Sequence, residues 1–220
     1  VCLAQLWSIS FACLLETRSS SREKEPRYRL PYGERPTSDA RELAQRTQKA
    51  RMRLNEDTVL VGRRCVLVPY KEKYVKRYHA WMQDDDLLAL TASERLTLDE
   101  EVANQRSWRD DAKKLTFIVL DRAQCFKGDD RFPTNAMVGD VNAFLTVPDE
   151  PLAAEVDVMI PERRRRGFGG EAVRLLLRYG REALHLETFV AKIASKNAAS
   201  LKLFASLGFE RTNYVEAFDE

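Results

Sequence analysis

Arg163-Arg164-Arg165-Arg166-Gly167-Phe168-Gly169-Gly170-Glu171 follows directly on the alternating run Ala154-Glu155-Val156-Asp157-Val158-Met159-Ile160. It leads into Val173, Leu176, Leu177, Ala183 and Leu184 at helical spacing. A period of two gives way to a period of 3.6 across a glycine turn, so the stretch reads as strand, loop, helix. That order gathers backbone N–H groups and the positive end of a helix dipole at one concave spot. Missing Cβ atoms permit close approach, and the whole makes an anion cradle. The flanking arginines add donors suited to phosphate oxygens. A Walker A loop needs Gly-Lys-Ser/Thr, which does not occur here. A dinucleotide fingerprint belongs near the start of a parallel βαβ unit, whereas this loop comes late, after several strands. Taken alone, the loop fits a plain helix-start turn beside a solvated arginine run just as well, and the four arginines also fit a nuclear-localisation patch.

Working outward, Cys65-Val66-Leu67-Val68 predicts a short buried strand ended by Pro69. Val75, Tyr78, His79 and Met82 mark one face of a helix, and His79 on that face is read as a packed histidine. Asp84-Asp85-Asp86 would cap a short helix, and Thr97 with Glu100 has capping-box spacing for a helix through about Ala112. Thr116–Leu120 and Ala136–Leu145 predict strands separated by the polar turn Gly128–Asn135. After the glycine-loop helix come a strand at Thr188–Ala194 and a helix at Asn197–Leu207 striped by Leu201, Phe204 and Leu207. Gly208 closes that helix, and Phe209–Phe218 returns to strand. The succession β-α-α-β-β-β-α-β-α-β specifies an α/β fold, a central mixed sheet flanked by helices.

Composition excludes several classes. The 220 residues carry 36 basic and 34 acidic side chains, a net charge of +2, which disfavours a uniformly basic nucleic-acid binder. Residues 1–51 hold 10 basic and 6 acidic side chains, so the extension is basic while 52–220 is slightly acidic. The Ser- and Pro-rich stretch from Ser19 to Asp39 predicts disorder, with a short helix at Asp39–Arg51, and the extension carries no assigned chemistry. The apolar run Val1–Leu15 is shorter than the roughly 20 residues that span a bilayer and lacks the pattern of a signal peptide, so no membrane association is expected. Four cysteines are scattered without a CxxC pair, beside only two histidines. Neither a metal site nor a disulfide framework is expected, and Cys65 and Cys125 read as packing residues in a reducing, cytoplasmic setting.

Arg164-x-x-Gly167-x-Gly169 resembles the [QR]-x-x-G-x-[GA] signature of the GCN5-related N-acetyltransferase superfamily. Asn197-x-x-Ser200-x-x-Leu203-x-x-x-x-Gly208-Phe209, roughly 30 residues on, is similar to that superfamily's second motif. Gly170-Glu171-Ala172 and the Asn-x-x-Ser helix resemble the ribosomal-protein alanine acetyltransferase-like branch. Arg53-Leu54-Asn55, Val66–Tyr70, Leu90–Glu94, Thr116–Asp121 and Val138–Asn142 are similar to the N-acetyltransferase 9-like proteins, a resemblance spanning about residues 52–218.

The resemblance implies an acetyl-CoA-dependent N-acetyltransferase domain over 52–220. Backbone amides of Arg164, Arg165, Arg166, Gly167, Phe168, Gly169 and Gly170 would hold the pyrophosphate. Val158, Met159 and Ile160 would pair with the pantetheine arm, where a backbone N–H polarises the thioester carbonyl. Asn197 and Ser200 would lie beside the pantetheine and thiol. The acceptor must lose a proton, and Glu155 and Asp157, alternate residues of one strand face, are the candidate bases. A solvated outer face or a salt bridge to an arginine explains them at least equally, and Asn197 fits a helix N-cap equally. Many superfamily members place a tyrosine as general acid where Phe204 stands, which leaves Ser200, Tyr214 or water to protonate the thiolate. The fold normally closes with a two-strand hairpin of which one strand fits here, so the final strand is expected to be missing, with an exposed sheet edge. The expected reaction is direct attack by a protein or peptide α-amino group in a ternary complex, since no G-x-S-x-G elbow or Cys/His pair supports covalent catalysis. The alternatives are a small-molecule amine acetyltransferase and a catalytically weak acetyl-CoA-binding or interaction protein.

Overall fold

Alternation of large apolar residues on both faces of the central strands requires a covering layer on each side, and the fold supplies two. The computed structural model of the chain describes residues 28–29, 55–145, 147 and 150–212. Its strands are β1 (Tyr28–Arg29), β2 (Leu60–Val61), β3 (Cys65–Pro69), β4 (Lys114–Asp121), β5 (Met137–Phe144), β6 (Ala153–Met159), β7 (Thr188–Ala191) and β8 (Glu210–Arg211). The α-helices are α1 (Val75–Trp81), α2 (Asp85–Leu90), α3 (Leu98–Asp110), α4 (Phe168–Leu184) and α5 (Ala198–Ser206). One sheet runs in the order β2-β3-β4-β5-β6-β7-β1-β8. Neighbours from β2 to β6 are antiparallel, with Leu67 opposite Val119, Phe117 opposite Val141 and Asn142 opposite Asp157.

On one face, Cys65, Leu67, Leu115, Phe117, Val119, Val141 and Val156 pack against Ala172, Val173 and Leu176 of α4 and Phe204 of α5. On the other, Val66, Val68, Ile118, Leu120 and Met137 pack under Tyr78 and Trp81 of α1 and Leu87 and Leu88 of α2. Trp81 takes the buried place on α1, and His79 is half-buried with Gln83 Nε2 3.3 Å from its Nδ1. The expected caps form. Asp84 accepts from the N–H groups of Asp86 and Leu87, and Thr97 and Glu100 make a reciprocal capping box on α3.

The pair β6–β7 is parallel, which demands a crossover, and the 17-residue α4 provides it. Helix α4 lies close on the sheet at Gly180, where an added Cβ would come within 2.9 Å of the Phe189 ring. It ends on His185 in the left-handed conformation, with the Leu186 N–H bonded to the Gly180 carbonyl.

The sheet differs from expectation at its far end. Tyr28–Arg29, from the segment expected to be disordered, forms β1 and pairs antiparallel with both β7 and β8. Backbone N–H and C=O groups on facing strand edges need partners, and β1 supplies them to β7 and β8. The place beside β7 is therefore filled by β1, and the described sheet ends on β8. The expected helix at Asp39–Arg51, the end of the expected strand Phe209–Phe218 and Tyr214 lie outside the described residues.

Candidate active site

The loop between β6 and α4 is shaped by three residues in the left-handed region, Arg163 (φ 52°), Arg165 (φ 62°) and Gly167 (φ 82°). Alternating left-handed residues turn successive N–H groups toward one side, the geometry of an anion nest. Gly167 is the N-cap of α4, and no side chain caps that helix. Its first-turn donors are thus left to a ligand, at the positive end of the helix dipole. Gly169 faces Ile160 and Leu203, where an added Cβ would sit 3.4 and 3.5 Å away, in ordinary van der Waals contact.

Three anchors hold the loop. Glu162 accepts from Arg77 Nη2 at 2.7 Å and from Trp81 Nε1 at 2.8 Å, tying it to α1. Arg163 is ion-paired with Asp121 at the end of β4. The Arg166 carbonyl accepts from Arg64 Nη1 at 3.1 Å. Behind the loop, Glu171 of α4 accepts from the backbone N–H groups of Arg63, Arg64 and Cys65 at 2.8, 2.7 and 2.9 Å. Burial by itself would raise the Glu171 carboxyl, but these donors outweigh it and hold the carboxyl below its ordinary range. An open cavity of about 490 Å³ adjoins the loop, lined by Arg63, Arg64, Asp121, Arg122, Ala123, Arg166 and Phe168. It takes no lining from β6, β7 or α5, so it flanks the cradle and lies apart from the cleft described next.

Pairing between β6 and β7 stops at Glu155 opposite Val190. Strand β6 continues to Met159 while β7 ends at Ala191, so the two diverge. The β7-side edge of Val156–Met159 is left without a strand partner and leads straight to the cradle, which suits it to pairing with an extended amide-bearing chain. Val158 and Met159 meanwhile pair with Val141 and Asp140 of β5 on the other edge. Asn197 caps α5, its Oδ1 accepting from the Ser200 N–H at 3.1 Å, and Ser200 lies half-buried in the first turn. Phe204 is buried edge-to-face against Phe209 with centroids 5.0 Å apart.

The two candidate bases part company. Glu155 is ion-paired with Lys192 at 3.0 Å, the plainer of its two expected roles. Asp157 lies on the part of β6 beyond its pairing with β7; it is exposed yet crowded by protein atoms, and this desolvation raises its carboxyl. Asn142, opposite it on β5, donates to Asp157 Oδ1 at 2.7 Å and to Asp140 Oδ2 at 2.8 Å. Asp140 is buried, and burial, then the Asp157 charge, push it up to about 8. The same face carries Lys114, lowered to about 8 by burial, with its Nζ 3.0 Å from the Trp108 ring centroid. Glu101 of α3, 2% exposed, is raised to about 7 by burial. Asp140, Asn142, Lys114 and Glu101 escaped sequence reasoning. The signal was present, since a polar residue at every second position of β5 within an otherwise apolar strand marks a face that is not plain core.

A model of the acetyltransferase (GNAT) domain matches residues 64–210. The chain belongs to the GNAT acetyltransferase family. It is an N-acetyltransferase, and its family uses acetyl-CoA. It is 49% identical over 175 residues to the Drosophila melanogaster protein named alpha/beta-tubulin-N-acetyltransferase 9, covering 77% of this chain and 86% of that one. It is 46% identical over 171 residues to an N-acetyltransferase 9-like protein of Nematostella vectensis, with the same coverage. The fold is similar to a GNAT-family acetyltransferase of Bacillus anthracis, at a TM-score of 0.60 and 18% identity, covering 72% of this chain and 87% of that one. Spermidine N-acetyltransferase of Vibrio cholerae, solved with CoA and spermine, superposes at a TM-score of 0.58 and 18% identity over 69% of this chain and 84% of that one. The anion nest, the uncapped N-terminus of α4 and the unpaired β6 edge of this GNAT domain fit a pyrophosphate followed by an amide-containing arm. Among the described residues, no helix is long and apolar enough to cross a membrane, and no cluster of three His, Cys, Asp or Glu side chains could hold a metal ion.

Proposed function

We propose that this enzyme transfers acetyl from acetyl-CoA to a protein α-amino group by direct attack in a ternary complex. One observation carries the reading: the unpaired edge of β6 connects the anion cradle to the exposed Asp157 carboxylate. Backbone N–H groups from Arg164 to Gly170 bind the pyrophosphate, and the Val158–Ile160 edge pairs with the pantetheine arm. Acetyl-CoA brings a thioester whose carbonyl a backbone N–H of this edge polarises. Asp157 takes the proton of the acceptor ammonium and leaves a neutral nitrogen to attack. The C–N bond forms as the C–S bond breaks, and the second nitrogen proton ends on sulfur. In this reading Ser200, in the first turn of α5, relays it, since Phe204 has no proton to give. Glu155 is a structural partner of Lys192 in this scheme.

A protein acceptor is supported by relatives whose names give alpha/beta-tubulin. The free, buried thiols of Cys65 and Cys125 support a reducing, cytoplasmic setting. The deciding experiment incubates the full chain with acetyl-CoA and peptides carrying varied N-termini, those of α- and β-tubulin included, and locates the acetyl group by mass spectrometry. Acetylation of peptide α-nitrogens is expected. Product from small amines alone would replace the protein acceptor with a small molecule. Calorimetric binding of acetyl-CoA without any turnover would leave a binding protein.

A further inference from the structure

Two carboxylates bridged by one amide cannot both be charged cheaply. Asn142 spends both Nδ2 protons, one on Asp140 Oδ2 and one on Asp157 Oδ1. Among the described residues, no hydrogen-bond donor reaches the other oxygen of Asp140, which is buried, and the Asn142 Oδ1 is buried and unpartnered as well. An ionised carboxylate with one oxygen orphaned in the interior carries a heavy desolvation penalty, whereas a neutral carboxylic acid there carries a much smaller one. Asp157 differs because it is exposed to solvent.

Building on the function proposed above, we infer that Asp140 and Asn142 are positioning residues: Asp140 keeps a proton at neutral pH, and the Asn142 amide ties it to Asp157, so the pair holds a single negative charge, placed on the carboxylate that meets the acceptor amine. This is one proton shared by two interacting acids, so they titrate as a unit. The charged and titratable groups facing the pair come from the end of β3 and from α1, α3 and β4. They are Tyr70 after β3, Tyr78 of α1, Glu101 of α3 and Lys114 of β4. The Glu155–Lys192 pair lies next along β6. Lys114 is the cation of this group and offsets the one remaining negative charge. Glu101, raised by its own burial, adds no second full charge at neutral pH.

The test uses the full chain labelled with ¹³C at aspartate carboxyls, titrated by NMR, alongside pH profiles of kcat/KM with whichever acceptor is turned over. One of the two carboxyls is expected to stay protonated through pH 7, and its signal to vanish in Asp140→Asn. Finding both ionised at pH 7 overturns the inference. Asp140→Asn keeps a neutral group at this position, so the acid limb of kcat/KM is expected to stay put. A downward move of about one pH unit or more would show that a charge had been removed, and would sink the idea. Asn142→Ala withdraws a donor from ionised Asp157, so the acid limb moves up and kcat falls about tenfold, for a charge-assisted hydrogen bond, while the KM for acetyl-CoA holds. An unmoved limb in that variant also overturns the proposal. The carboxyl titration needs no turnover, so a failure of the acetyl-transfer reading and a failure of the shared proton are seen separately.

Discussion

Glu171 shows how one side chain can fix a distant loop. Its carboxylate takes three N–H donors from Arg63–Cys65, more than 100 residues upstream, and so locks the start of α4 onto the β2–β3 turn. Glu171→Ala is expected to lower stability by about 2 kcal/mol, because hydrogen bonds to a charged acceptor are worth roughly 1.5–3 kcal/mol each, discounted here because the Arg63 and Arg64 donors are exposed. That corresponds to a Tm fall of about 5 °C for a domain of this size, read by thermal unfolding, with Glu171→Gln falling between it and the parent. The sequence placed Glu171 correctly in the first turn of a helix, and nothing local pointed to its partners. Asp157 was legible for the opposite reason, because strand alternation alone puts it on a face with Glu155. Which of the two is ion-paired and which meets an amide depends on Lys192, just after β7, and on Asn142 of β5.

Helix α5 carries its own test at the scale of an element. Asn197 caps it, and a cap removed by Asn197→Ala costs about 1 kcal/mol of stability. Asn197→Asp restores the cap, since a carboxylate accepts from the Ser200 N–H equally well. It cannot restore any hydrogen bond that the amide donates to the cosubstrate. The expected outcome is therefore a Tm back at the parental value with a KM for acetyl-CoA still raised about fivefold, the weight of one neutral hydrogen bond. A KM that recovers together with Tm would leave Asn197 a cap alone. Helices and strands were mostly readable in advance because caps, glycines and periodicity act within a few residues of each other. The divergence of β6 from β7 was not, since it depends on how far α4 carries the chain before β7 docks.

At the scale of the whole molecule, burial of ionisable groups on the α1–α3 face sets how stability depends on pH. Asp140 and Glu101 bind protons more tightly in the native state, at about 8 and about 7, than in the unfolded chain. The native state therefore holds the extra protons between roughly pH 4 and pH 8, and stability falls as pH rises through that window. Lys114, lowered to about 8, adds the opposite slope only above that value, where the unfolded chain still holds its proton. Thermal unfolding at pH 5 and pH 8 is expected to give the lower Tm at pH 8, with the gap narrowed in Asp140→Asn. An equal gap in that variant would remove Asp140 as its source.

The sequence by itself determined the succession of elements from β3 to α5, the glycine-loop cradle and the family, because each rests on contacts between near neighbours or on a motif of fixed spacing. Only the tertiary structure decided that Tyr28–Arg29 lies between β7 and β8, that Glu155 is held by Lys192, and that Asp140, Asn142 and Asp157 form one polar group beneath α3. The physical reason is register. A strand partner is chosen by unpaired backbone groups wherever they occur along the chain, and the protonation of a carboxyl is chosen by burial and by charges that other strands bring beside it.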